Sequence, residues 1–195
     1  MSNTCRAMYK DPVSKEYHDH EWCKPSHDDT FQFEMLCLEG ASTGLSWATV
    51  LHKRGAYRAA FHDFDIDACA AMTDGELEAL LRDPGIIRNR NKVFGVRKNA
   101  RIVRAIREEY GSFDAYVWSF TEGKVIDDHW ETPADIPTVS EVSVKMSKDM
   151  KKRGMSFVGP TITYSFLQSV GIVNDHLDDC GYRSADRSGL PENLS

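Results

Sequence analysis

Apolar positions recur at helical spacing along most of the chain. In residues 28–38 (DDTFQFEMLCL), Phe31, Met35 and Leu38 fall on one helical face, with Asp28 or Asp29 placed to cap it. A glycine-bounded segment follows, then two further periodic stretches at 45–54 and 57–61. Thr73-x-x-Glu76 is a capping box ahead of Leu77, Leu80 and Leu81. That helix has to stop at Asp83-Pro84-Gly85, because proline disfavours helix in the residue before it and glycine permits a turn. Val93, Val96, Ala100 and Val103 mark one face of a longer helix from about 91 to 108. Residues 123–139 contain two prolines and read as an irregular connection. Another helix is expected from 139 or 140 to about 152, and a last one opens at Val158-Gly159-Pro160 and runs through Gln168. No strand-type alternation persists, so the pattern predicts an all-α fold.

Composition bounds this picture. A chain of 195 residues, 41% hydrophobic and 28% charged, is expected to form one domain over 1–182, two helical lobes sharing a core, with a flexible polar tail at 183–195. No stretch nears 18 apolar residues and the first residues lack an apolar signal core, so neither a membrane span nor export is expected, and the cytoplasm is the default. Five cysteines, an odd count, read as thiols that are free, buried or metal-bound. The net charge of −6 hides two basic clusters, one of eight residues from Arg88 to Arg107 and one from Lys145 to Arg153. Two such clusters on an acidic chain point towards phosphate. A helix, a Pro-Gly turn and a basic helix outline a helix-hairpin-helix, whose turn amides bind a DNA phosphate without reading sequence. Ordinary helix connections carry the same punctuation.

Two groups of residues suggest chemistry. Cys5-x12-His18 near one end and His176-x3-Cys180 near the other supply two thiols and two imidazoles, the donor set of a closed structural zinc site. On a helix, His176 and Cys180 would share one face. Cys23 is a competing ligand, while Cys37 and Cys69 sit in apolar surroundings. The second group is Glu39, at the end of an apolar helix, and Trp47 after the small residues 40–46. A pocket in which Glu39 accepts hydrogen bonds and Trp47 stacks on a flat ligand is one reading. A surface carboxylate and a core tryptophan is the other.

Segments YHDHEW (17–22), FEMLCLEG (33–40), GLSWATVLHKR (44–54), GIIRNRNK (85–92), KKRGMSFVGPT (151–161), YSFLQ (164–168) and VNDHLDDC (173–180) together resemble the 3-methyladenine DNA glycosylase I family, bacterial repair enzymes of the helix-hairpin-helix glycosylase superfamily. The resemblance covers about residues 5–182. It implies Zn2+ held by Cys5, His18, His176 and Cys180 as a clasp remote from the reaction. It further implies a base pocket of Glu39, Trp47 and Tyr17, with Glu39 as the catalytic residue, and a hairpin at 84–88 that touches DNA through Gly85, Ile86 and Arg88. Leu45 would fill the gap left by the extruded base. The implied activity is monofunctional excision of 3-methyladenine from alkylated double-stranded DNA, by a monomer in the bacterial cytoplasm at the nucleoid. Several positions depart from the family pattern: Ala7 stands for an aromatic residue, Ser14 for a tyrosine, Ala41-Ser42-Thr43 for aromatic-Gln-Ala, and Cys23 for a glycine. These departures keep two other readings open, a non-catalytic binder of damaged DNA and a glycosylase with shifted lesion preference.

Overall fold

A computed structural model of the chain describes residue 5 and residues 9–183. Ala7 and the expected tail from 184 to 195 lie outside these described residues. Helix α1 (Pro12–His20) starts where Asp11 accepts the Ser14 N–H and Pro12 takes the first helical position. Helix α2 (Asp29–Ser42) is capped by Asp28 and is buried almost throughout from Gln32 onward. It runs past Gly40 rather than ending at Glu39. A side chain at Gly40 would come within 3.1 Å of Phe157 Cβ, so glycine here serves helix packing instead of termination.

The expected stretch 45–54 divides into α3 (Trp47–Leu51), capped by Ser46, and α4 (Arg54–Ala60). After a left-handed run at His62, Asp63 and Phe64 come α5 (Ile66–Ala71), α6 (Asp74–Leu80) and α7 (Arg90–Tyr110). The Thr73 capping box forms as expected, with Glu76 reaching back to the Thr73 N–H. Helix α8 (Phe113–Trp118) precedes the irregular connection, then α9 (Glu141–Lys152) and α10 (Pro160–Ser169) follow. Strand β1 (Ile126–Asp127) pairs in parallel with β2 (Val173–Asn174), a two-residue bridge within a helical fold. Among the described residues no helix is long and apolar enough to cross a membrane.

One connected apolar core contains Phe33, Leu36 and Leu38 of α2, Val103 and Ile106 of α7, and Phe166 and Leu167 of α10. Each fully buried large side chain of this kind contributes about 1.5–3 kcal/mol. Arg54 and Arg58 both grip the buried Glu34 in two-point hydrogen bonds, tying α4 to α2. Gly171, at φ +73°, lets the end of α10 meet the Lys24–Pro25 backbone, where any Cβ would overlap it at 2.1 Å. Around that contact the Cys23 N–H bonds to Gln168 O and the Ser26 N–H to Val170 O. The beginning and end of the chain are therefore joined by backbone as well as side chains. Arg183, expected to open a loose tail, instead bonds to Asp127 and to the Asp128 carbonyl.

Candidate functional site

Helices α1, α2, α3 and α10 meet around a cavity of about 210 Å³ lined by Tyr9, Tyr17, Trp22, Glu39, Trp47, Ser165 and Gln168. The structure thus brings together the three pocket residues expected from sequence. The Tyr17 and Trp47 rings lie 5.3 Å apart at 53°. The Trp47 indole N–H is buried with no acceptor, an unmet donor at the cavity wall. Glu39 projects from the buried last turn of α2. Burial pushes its carboxyl from 4.5 up to about 8, against an opposing pull from the Ser169 hydroxyl. Ser169 Oγ lies 2.8 Å from Glu39 Oε1, and the Tyr17 hydroxyl donates to Ser169 Oγ at 3.0 Å. Neutral below that pH and ionised above it, Glu39 is poised to respond to a charged ligand.

Leu45, 45% exposed, tops a short loop beside the cavity. The loop turns through Gly44 at φ +78° and closes with the Leu45 N–H on Ser42 O. Lys92 reaches across from α7 to donate to the carbonyls of Ala41 and Thr43. The Ser42 hydroxyl folds back onto Glu39 O. Residues 41–43, which depart from the family pattern, thereby form the base of the loop. Ser14 does not line the cavity; its hydroxyl donates to Asp11 at the start of α1. Cys23 sits at φ +60°, which explains why glycine suits this position, and its sulfur accepts the Asp175 N–H.

Cys5, His18, His176 and Cys180 are all buried, with ligand atoms within 4.8 Å of one another, and Cys23 is not among them. The sulfur–nitrogen separations are 3.2, 3.5, 3.7 and 3.7 Å. A tetrahedral zinc with Zn–S of about 2.3 Å and Zn–N of about 2.0 Å requires such edges to be about 3.5 Å. His18 Nδ1 bonds Asp19 at 2.8 Å, and His176 Nε2 lies 3.2 Å from Trp22 O, so each ring presents its other nitrogen to the thiols. Burial pushes the Cys5 thiol up to about 12, a cost that a dication among the ligands would reverse. Donor set and geometry fit zinc. His176 and Cys180 meet without a helix: they follow β2 in irregular chain, where the Cys180 N–H bonds to Leu177 O.

Most arginines of the basic run on α7 have partners within the protein. Arg90 pairs with Glu78, Arg97 with Asp74, and Arg104 and Arg107 with Asp67, while Arg101 bonds to Ala70 O. These arginines stitch α7 to α5 and α6, leaving exposed Arg88 and Lys98 without an ion pair among the described residues. In the turn at 84–88, the Gly85 N–H is taken by Asp83 and the Ile87 N–H by the Tyr57 hydroxyl, and Ile86 is buried. Two of its amides are thus committed inside the protein.

Sequence reasoning missed Tyr9, Trp22, Ser165, Gln168 and Ser169. Trp22, Ser165 and Gln168 lay within the quoted motifs, so their clustering on two of them was a usable signal. Tyr9 gave none, since an isolated tyrosine in a polar stretch has no periodicity to place it.

A sequence profile of the methyladenine glycosylase family matches residues 7–184. The DNA-3-methyladenine glycosylase of Haemophilus influenzae is 42% identical over 180 residues, spanning 92% of this chain and 97% of that protein. DNA-3-methyladenine glycosylase 1 of Escherichia coli K12 is 45% identical over 176 residues, spanning 90% and 94%. The structure of 3-methyladenine DNA glycosylase I from Staphylococcus aureus, solved for its recognition of 3-methyladenine, superposes with a TM-score of 0.91 at 38% identity, covering 94% of this chain and 98% of that one. With a profile spanning nearly the whole chain and relatives matched end to end, this protein belongs to the methyladenine glycosylase family.

Proposed function

We propose that the protein is a monofunctional DNA glycosylase that hydrolyses the N-glycosidic bond of 3-methyladenine in alkylated duplex DNA. The observation that carries this reading is Glu39, a buried carboxyl titrating near pH 8 in a small aromatic cavity. Methylation at N3 gives the base a positive charge, which an ionised Glu39 pairs with and an uncharged base does not. A base must leave the duplex stack to reach such a cavity, and a damaged base is extruded at lower cost. Trp47 and Tyr17 offer ring faces to the flipped base, and the exposed Leu45 enters the space it vacates.

On arrival of the cation Glu39 gives its proton to solvent. The glycosidic electron pair then moves to the base, which departs as neutral 3-methyladenine, and water adds at C1′ and releases a proton to solvent. The Glu39 carboxylate faces the oxocarbenium-like sugar as positive charge passes to it. No lysine lines the cavity among the described residues, so a Schiff base at C1′ has no amine to form from. Cys5, His18, His176 and Cys180 would hold Zn2+; a closed four-ligand shell supplies structure and leaves no position for substrate.

The hairpin that meets the DNA backbone is better assigned to residues 153–159 than to 84–88. The Ser147 and Thr163 hydroxyls both donate to Val158 O, so α9 and α10 each hold this turn. Helix α10 starts at Pro160 without a side-chain cap, and Lys151 and Lys152 are exposed nearby.

The test is release of free methylated base from alkylated DNA by wild type, Glu39→Ala and Trp47→Ala. Wild-type release no faster than either variant defeats the catalytic reading. DNA binding without release would favour a damage-binding protein, and release of other bases a shifted lesion range.

A further inference from the structure

Ser169 sits at the last position of α10, 1% exposed, between three oxygens. The Tyr17 phenol points at its Oγ from α1 at 3.0 Å, Glu39 Oε1 lies 2.8 Å away on α2, and the Ser165 carbonyl lies 2.9 Å away one turn back. A serine hydroxyl has one proton and two lone pairs, so it cannot donate to Glu39 and Ser165 at once. With the Tyr17 proton on one lone pair, two arrangements remain. When Glu39 is ionised, Ser169 donates to Oε1. When Glu39 is protonated, the carboxyl donates to Ser169 Oγ and the serine proton turns to the Ser165 carbonyl.

Both arrangements leave the Tyr17 hydroxyl, Ser169 Oγ and Glu39 Oε1 partnered, and neither moves a heavy atom. We propose that Ser169 is the positioning residue of Glu39, a hydroxyl that turns between two acceptors so that the carboxyl holds its place in both protonation states. Tyr17 acts through it, by fixing which lone pair is occupied. This rests on the reading of Glu39 as the carboxylate that recognises the cationic base. On that reading, ionisation as the base arrives requires only rotation of one O–H bond.

The titratable groups facing Glu39 are few. Tyr17 from α1 and Tyr9 from the segment before it are phenols pushed well above their ordinary range, chiefly by burial, so both stay neutral while Glu39 titrates. The neighbours from α10 (Ser165, Gln168 and Ser169) and from α3 (Trp47) carry no charge. The position of the Glu39 titration thus reports on Ser169 directly. A charge-assisted bond to the ionised form is stronger than its neutral counterpart, so removing the hydroxyl raises the midpoint.

The experiment is a carbon-13 NMR titration of the Glu39 carboxyl in the zinc-loaded full chain, assigned by loss of its signal in Glu39→Gln, with base release measured against pH in parallel. In Ser169→Ala the midpoint should rise by about one pH unit and kcat/KM at pH 7 should fall on the order of tenfold. Ser169→Thr, which keeps a hydroxyl, should restore both. Adding Tyr17→Phe to Ser169→Ala should move the midpoint little further. An unchanged midpoint in Ser169→Ala, or Tyr17 and Ser169 shifts that simply add, overturns the proposal. The NMR arm reads the relay even if wild type releases no base, an outcome that would instead refute the glycosylase reading.

Discussion

Replacing Glu39 with glutamine should stabilise the protein while abolishing base release, and the stabilisation should depend on pH in a defined way. In the folded chain the Glu39 carboxyl keeps its proton up to about pH 8, whereas its ordinary value is 4.5. Between those values the folded state holds a proton that the unfolded state has lost. Stability contributed at this site is therefore complete at or below pH 4.5 and drains away as pH rises to about 8. Each pH unit in that window is worth ~1.4 kcal/mol, so the whole interval has a ceiling of ~5 kcal/mol. Glutamine is nearly isosteric and does not titrate, so the variant escapes the loss.

Urea unfolding of zinc-loaded wild type and Glu39→Gln at pH 5, 6, 7 and 8 measures the difference. Contributions from the cysteines and histidines are common to both proteins and cancel. The variant's advantage should grow with pH by ~1 kcal/mol or more per unit and level off above pH 8. An advantage that is flat across this range would show that the Glu39 carboxyl is not held neutral by burial. Its place as a pH-responsive base recogniser would fall with it. A stabilised but inactive variant is what a destabilising functional group predicts.

Tyr9→Ala should weaken binding of free 3-methyladenine by ~1–3 kcal/mol, as loss of a stacking wall does, with Tyr9→Phe near wild type; equal affinities by calorimetry would remove Tyr9 from the site. Lys92→Ala leaves the Ala41 and Thr43 carbonyls without their donor. Faster amide hydrogen exchange at 43–46 and a roughly tenfold lower kcat/KM on DNA should result, with free-base affinity retained; exchange at the wild-type rate would refute the clamp. Metal analysis of wild type should give about one zinc per chain, lost in Cys180→Ser together with several kcal/mol of stability, and a chelator-insensitive melting temperature in wild type would defeat the zinc assignment.

Much of the helical outline was legible because caps and apolar spacing act locally. Thr73 and Glu76 form their capping box, and the long helix expected at about 91–108 appears as Arg90–Tyr110. Helix α1 was not legible: Val13 and Tyr17 alone cannot mark a face, and only the Asp11 cap and Pro12 signal it. Gly40 misled, because its reason for being glycine is Phe157, over a hundred residues away. The partners of the α7 arginines were hidden for the same kind of reason. A run of cations reads as a ligand surface until the carboxylates of Asp67, Asp74 and Glu78 are seen opposite them. Glu39 and Trp47 were identifiable by motif, but the Ser169 bridge depends on a contact 130 positions apart, which no local pattern encodes.

The Cys/His cluster and the base cavity are more closely joined than a clasp remote from the reaction implies. Tyr17 and His18 are consecutive on α1, and they deliver one ring to each site. Trp22 lines the cavity, yet its ring lies 4.8 Å from that of His176 and its carbonyl orients the same imidazole. Tyr9 also belongs to both, with its ring 4.9 Å from His18. Three of the four aromatic walls therefore rest on the residues that would hold zinc. Trp47 and Glu39 hang instead on α3 and α2, and Ser169 secures Glu39 from α10. The cavity is thus a seam: Tyr9, Tyr17 and Trp22 belong to the part beside the Cys/His cluster, and Trp47 and the charge-sensing Glu39 to the helical core. A zinc held by this cluster would not touch substrate, yet it would bear on how tightly the base is held, because His18 and the cavity residue Tyr17 are neighbours on α1.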